Sequence, residues 1–170
     1  MKKIIENNER IFIAGSNGMV GSSIKRALLK SPYNQANNFL NLLTPSRLEL
    51  DLIDSIAVNN WFKKKKPNIV ILAAAKVGGI HANSKYPSEF LLENIKIQTN
   101  IIEASFREGV RRLLFLGSSC IYPKYATQPI KEEELLNGYL EKTNESYAIA
   151  KITGIKLCEA LRKQHNFDAI

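Results

Sequence analysis

Arg10-Ile11-Phe12-Ile13-Ala14-Gly15-Ser16-Asn17-Gly18-Met19-Val20-Gly21 is the stretch that decides the fold. Its first five residues read as a short apolar strand. Three glycines at GxxGxxG spacing follow directly. From Met19 to about Leu29, apolar Val20, Ile24, Ala27 and Leu28 recur on one side, as in a helix. Glycine lets a chain turn tightly and lets a pyrophosphate approach the backbone closely. The opening turn of a helix adds free N–H groups and the positive end of its dipole. The spacing is not GxGxxG, and a tight turn leading into a packed helix start would produce the same triplet. Its position between strand and helix is what points to a phosphate site.

Working outward, strand and helix patterns alternate. Phe39 to Leu43 reads as a second strand and Leu48-Glu49-Leu50 as a very short third. Ser55 to about Lys65 reads as a helix stopped by Pro67, and Asn68 to Leu72 as a strongly apolar strand. Lys76 to Pro87 reads as a loop with paired glycines. Phe90 to Arg107 is a long helix with apolar residues on more than one face, which predicts burial on two sides. Arg112 to Leu116 is a buried-type strand, a loop with Pro123 and Pro129 follows, and Glu145 to about Gln164 is the last helix. Strands without polar alternation, joined by helices, predict an α/β fold with a parallel sheet covered on both faces. Phe167-Asp168-Ala169-Ile170 reads as the opening of a further buried strand, so the sequence is expected to be cut before a further domain.

Composition narrows the class. The 170 residues are 45% hydrophobic and 24% charged, the balance of one soluble globular domain. No apolar run has the length of a membrane span, and the N-terminus lacks the apolar core of a secretory signal, so the cytoplasm is expected. The net charge of +8 fits a phosphate-bearing ligand as well as nucleic acid or an anionic membrane. Lys63 to Lys66 ends a helix, where cations complement the dipole, and no aromatic residues interleave with it, so no nucleic-acid partner is expected. Cys120 and Cys158 have no CxxC or His-rich context; neither a disulfide nor a metal site is expected.

Two further constellations carry chemistry. Tyr147 and Lys151 lie four residues apart on a helix, so phenol and ammonium share a face. A cation there lowers a tyrosine pKa, as proton transfer near neutral pH requires. A surface pair has the same spacing, but small Ala148, Ala150 and Gly154 around it favour a buried setting. Gly117-Ser118-Ser119-Cys120-Ile121-Tyr122-Pro123 begins where the Arg112–Leu116 strand ends, the edge at which parallel sheets bind ligands. Hydroxyls there can hydrogen-bond a carbonyl oxygen, although turns and helix caps use serines in the same way.

Glycine turn, Ser118 and the Tyr147–Lys151 pair, in that order, resemble the extended short-chain dehydrogenase/reductases. Leu72-Ala73-Ala74-Ala75-Lys76-Val77-Gly78-Gly79-Ile80, Leu114 to Lys124, and Asn144 to Cys158 are similar, more narrowly, to the GDP-L-fucose synthases among them. The resemblance implies a Rossmann doubly wound sheet over residues 1–170 and NADP as cofactor. It implies a nucleotide-sugar substrate, GDP-4-keto-6-deoxy-D-mannose, epimerised at C3 and C5 and reduced at C4, and a homodimer formed through the Phe90–Arg107 and Glu145–Gln164 helices. Tyr147 would protonate the C4 oxygen, Lys151 would hold the nicotinamide ribose, Ser118 would hydrogen-bond the C4 oxygen, and Cys120 would be the base beside the ketone. Gly15, Ser16, Asn17, Gly18, Met19, Val20, Gly21, Arg47, Ala73, Ala74, Leu116 and Gly117 would face the cofactor. Val77, Gly78, Gly79 and Ser119 would face the substrate. His81 and His165 do not match the family's acid histidine.

The chain departs from the pattern in places. Asn17 stands where the family has an arginine that meets the NADP 2′-phosphate, which leaves Ser46 and Arg47 to hold it. No acidic residue closes the second strand, which disfavours a ribose 2′-OH acceptor and so NAD. Lys142 and Ser146 replace expected prolines. The alternatives are a nucleotide-sugar 4-epimerase or 4,6-dehydratase, which usually lack the Gly78-Gly79 loop and a cysteine at the place of Cys120, and a non-catalytic dinucleotide binder.

Overall fold

The structure is a computed structural model and describes residues 5–6, 9–31 and 41–170. Four strands, β1 (Ile11–Ala14), β2 (Leu42–Leu43), β3 (Ile69–Leu72) and β4 (Arg112–Phe115), form one parallel sheet in the order β2-β1-β3-β4. Ile11 pairs with Ile69 and Ile69 with Arg112, so the strands end almost level at their carboxyl edge. The connections β1–β2 and β3–β4 leave the middle of the sheet towards opposite sides. Their loops therefore part above β1 and β3 and open a crevice there.

Apart from Arg112, which pairs with Asp168, the strands are apolar because both faces are covered. Phe12, Ala14, Val70, Leu72, Leu113 and Phe115 point to one face, where α2 (Ser55–Lys65), α4 (Pro87–Arg107) and α5 (Glu145–His165) pack. Ile11, Ile13, Ile69 and Ile71 point to the other, against Ile24 and Leu28 of α1 (Met19–Lys30). Phe12 meets Trp61 and Phe62 at ring-centroid distances of 4.4 and 5.7 Å, which locks α2 onto the sheet. Asp54 starts α2 by accepting from Ile56 N and Ala57 N at 2.9 and 3.0 Å. Lys63, Lys64 and Lys65 form its exposed last turn.

Leu113 and Ala169 make an isolated parallel bridge, with Leu113 N donating to Asp168 O and Ile170 N to Leu113 O, both at 2.9 Å, so the Phe167–Ile170 segment lies beside β4. Leu48-Glu49-Leu50 is not a strand. Glu49 N and Leu50 N both donate to Ser46 O, and the Glu49 carboxylate accepts from Ser46 N at 2.7 Å. This reciprocal Ser-x-x-Glu capping closes a turn and leaves Leu48 fully exposed. The second strand reduces to Leu42–Leu43, while Phe39 and Leu40 lie outside the described residues. The Lys76–Pro87 segment is not all loop: it holds a six-residue helix, α3 (Ile80–Lys85). Pro87 begins α4 three residues before Phe90, its fixed φ being suited to a first helical turn.

Candidate active site

The crevice is a cleft of about 540 Å³. Gly15 to Val20, Pro45, Arg47 and Ala73 to Val77 line it. Gly15 has φ +84°, and a Cβ there would lie 2.7 Å from the Ala74 backbone. A Cβ on Gly21 would strike the Gly15 carbonyl, so α1 can sit against the turn only with glycine at this place. No side chain caps α1 and no carboxylate lies in its first turn, so its leading N–H groups and dipole remain for an anion. Ser16 is 2% exposed, and its hydroxyl has no partner among the described residues. Uncapped donors, an orphaned hydroxyl and close-approach glycines fit the pyrophosphate of a dinucleotide.

A second group of residues gathers on the same sheet edge. Ser118 and Cys120 follow β4, with Oγ and Sγ 3.1 Å apart. Tyr147 reaches them from α5, close enough for Ser118 and Cys120 both to act on its phenol. Lys151, one turn along, is 4% exposed and donates to Leu116 O at 2.7 Å. Leu116 N in turn donates to Leu72 O at the end of β3, beside Ala73 of the cleft wall. Gly117 and Ser119 lie exposed on the same loop. Gly78 and Gly79 continue from Val77, their carbonyls held by Asn83 Nδ2 at 2.9 and 3.1 Å. The sequence-based site residues thus fall into two neighbouring groups, a glycine cleft and a Ser118–Cys120–Tyr147–Lys151 cluster.

Burial corrects the expected electrostatics. The Tyr147 phenol is raised above its ordinary pKa, first by desolvation and then by Cys120, with the Ser118 hydrogen bond opposing. The Lys151 ammonium donates to Leu116 O and lies 4.7 Å from the centroid of the Phe115 ring and 5.9 Å from that of Tyr147. Burial lowers Lys151 itself to about 8, with Cys120 pulling the other way. Ser46, expected to help hold a phosphate, gives its N–H to Glu49 Oε2 at 2.7 Å.

Asp51, Leu52, Ile53 and Ile97 also line the cleft and were not anticipated from sequence. The available signal was the lone carboxylate of Asp51 within the apolar run Leu50–Ile53. His165 packs on Phe106, 4.7 Å between centroids, a structural place consistent with its lack of a family match.

The cost of burying Lys151 is testable. A lysine at about 8 in the fold against 10.5 unfolded disfavours folding while it is charged. Stability is therefore expected to rise as pH increases from about 8 to 10.5, by up to about 3 kcal/mol. Lys151→Met should stabilise the chain by about 1–2 kcal/mol at pH 7, since it also loses the Leu116 bond. Urea melts at pH 7 and pH 10 read both; a destabilised methionine variant would contradict this account.

A profile of the NAD dependent epimerase/dehydratase family matches residues 11–170. The chain belongs to that family. It is 54% identical over 167 residues to a putative GDP-L-fucose synthase 2 of Arabidopsis thaliana, covering 98% of this chain and 49% of the relative. It is 52% identical over 162 residues to the GDP-L-fucose synthase of Escherichia coli, covering 95% and 49%. Among solved structures, the GDP-mannoheptose C4 reductase MlghC of Campylobacter jejuni, with NADP bound, superposes with TM-score 0.89 at 38% identity, covering 98% of this chain and 51% of that one. The chain spans about half the length of the curated relatives it matches. Among the described residues, no helix is long and apolar enough to cross a membrane and no metal-binding cluster occurs.

Proposed function

We propose that residues 1–170 form the dinucleotide-binding domain of an NADPH-dependent enzyme that makes GDP-L-fucose from GDP-4-keto-6-deoxy-D-mannose. The observation that carries this reading is the Ser118–Cys120–Tyr147 cluster beside the glycine cleft at one sheet edge. Gly15 to Gly21 hold the pyrophosphate, Ala73, Ala74, Leu116 and Gly117 border the nicotinamide half, and Lys151 donates to its ribose. NADPH, when bound, supplies the hydride that reduces the C4 ketone. Ser118 hydrogen-bonds the C4 oxygen and Tyr147 gives it a proton, a role suited to a phenol that burial keeps protonated at neutral pH. Cys120 takes the C3 and C5 protons, which the adjacent ketone acidifies, and an acid from the half of the enzyme that this chain does not span returns a proton to the opposite face of each carbon. Val77, Gly78, Gly79 and Ser119 meet the sugar. A second copy packs on α4 and α5, where Leu92 and Ile149 are exposed.

The test is a hybrid in which this chain replaces the matched half of the Escherichia coli relative. It should convert the keto sugar to GDP-L-fucose with NADPH. A hybrid that folds and binds NADPH but leaves the sugar unchanged would sink the reading. A GDP-linked 4-keto heptose is the second substrate to try, because of the Campylobacter jejuni neighbours, but 52–54% identity to GDP-L-fucose synthases against 38% favours the deoxyhexose.

Arg47 lines the cleft, exposed and without an ion pair among the described residues. Arg47→Ala should weaken NADPH about tenfold and NADH little, a charge-assisted phosphate contact being worth that much. Fluorescence titration of both nucleotides decides it; equal losses would remove Arg47 from phosphate selection.

A further inference from the structure

We infer that Lys25, on the second turn of α1, is a specificity-determining residue that reads the 2′-phosphate of NADPH together with Thr44 and Arg47. The inference rests on the NADPH reading above and adds a residue to it.

Three observations meet at the carboxyl end of β2, the place where a Rossmann sheet distinguishes the two cofactors. First, Lys25 Nζ donates to Thr44 Oγ1 at 3.2 Å. Thr44 is the first residue beyond β2 and precedes Pro45, which lines the cleft with Arg47. Second, Lys25 is half-buried and makes no ion pair among the described residues; its one side-chain bond is to a neutral hydroxyl. A partly desolvated ammonium without a counter-ion gains from an incoming dianion more than a fully hydrated one does. Third, Asn17 carries no charge, and the N–H of Ser46 is held by Glu49.

The Lys25–Thr44 bond also sets direction. Thr44 Oγ1 accepts from Lys25, which leaves its own O–H to donate. Lys25 keeps two further N–H donors. Lysine and threonine thus present donors next to Pro45, with Arg47 two residues further along the cleft lining, and a phosphate on the adenosine ribose is the anion that such a set selects. NADH, which offers a 2′-hydroxyl here, gains nothing from them.

The test uses the chain with NADPH, NADH and adenosine 2′,5′-bisphosphate as probes, titrated into wild type, Lys25→Ala, Lys25→Arg and Thr44→Val. Lys25→Ala is expected to weaken NADPH and the bisphosphate about tenfold with NADH changed less than twofold, and Lys25→Arg to restore most of the preference. Thr44→Val should lose a smaller share of it. An unchanged NADPH-to-NADH ratio in Lys25→Ala would overturn the inference. So would equal losses for both nucleotides with a lowered melting temperature, which would make Lys25 a tether between α1 and β2. If wild type shows no preference for NADPH, the cofactor reading itself fails, and this inference falls with it.

Discussion

Tyr147→Phe in the hybrid enzyme is expected to cut ketone reduction by about 10³-fold while deuterium exchange at C3 and C5 continues, and Cys120→Ser to do the reverse. The two side chains share one neighbour, Ser118, yet serve different atoms of the sugar. The phenol is the proton source for C4. Phenylalanine keeps its packing and removes only the proton, so the carbons beside the ketone still meet the thiol. Serine at position 120 keeps a polar atom near Ser118, but a hydroxyl is a far weaker base than a thiolate. The pH dependence follows from burial. Tyr147 is raised, so it stays protonated through neutral pH and does not limit reduction there. Lys151, lowered to about 8, loses its charge first, so the alkaline fall in activity should track the lysine. NMR of the recovered sugar separates exchange from reduction. Equal loss of exchange in both variants would mean that the proton-transfer roles are misassigned.

How much of this was legible in the sequence depended on whether a signal was local and periodic. Ile11–Ala14 and Ile69–Leu72 are apolar at every position because helices cover both faces, and that uniformity predicts a parallel sheet. The glycine turn is equally legible, since its geometry needs Gly15 and Gly21 to lack Cβ atoms. Leu48-Glu49-Leu50 misled because a bare alternation says nothing about the Ser46–Glu49 capping that bends it. The short helix Ile80–Lys85 was hidden by the paired glycines before it, one of which serves as its N-cap. The spacing of Tyr147 and Lys151 correctly put them on one helix face. It could not reveal that Leu116 O would take the ammonium or that desolvation would be the largest influence on the phenol, because both depend on where β4 ends. Nor does any local pattern join Lys25 to Thr44, nineteen residues away.

The three glycines of the turn should respond very differently to alanine, and Gly21→Ala should be among the worst. A Cβ there would collide with the Gly15 carbonyl and come within 3.0 Å of Ser16 Cα, all backbone atoms that no rotamer change can move aside. Either α1 moves off the turn or the turn opens. Overpacking against backbone costs about 2–4 kcal/mol, and the displaced N–H groups should raise the NADPH Kd at least about 100-fold. Gly15→Ala should be as severe for two reasons: its φ of +84° disfavours any L side chain, and the Ala74 backbone stands 2.7 Å from the new atom. Gly18 differs. Its φ is −74°, and the one close neighbour of a Cβ would be Gly15 O at 3.4 Å, an ordinary contact. Gly18→Ala should therefore lose less than about 1 kcal/mol and bind NADPH within a few-fold of wild type. Thermal melts and NADPH titrations of the three variants check the ranking. A Gly18→Ala variant as damaged as Gly21→Ala would mean that close approach within the turn is not what the motif's glycines supply.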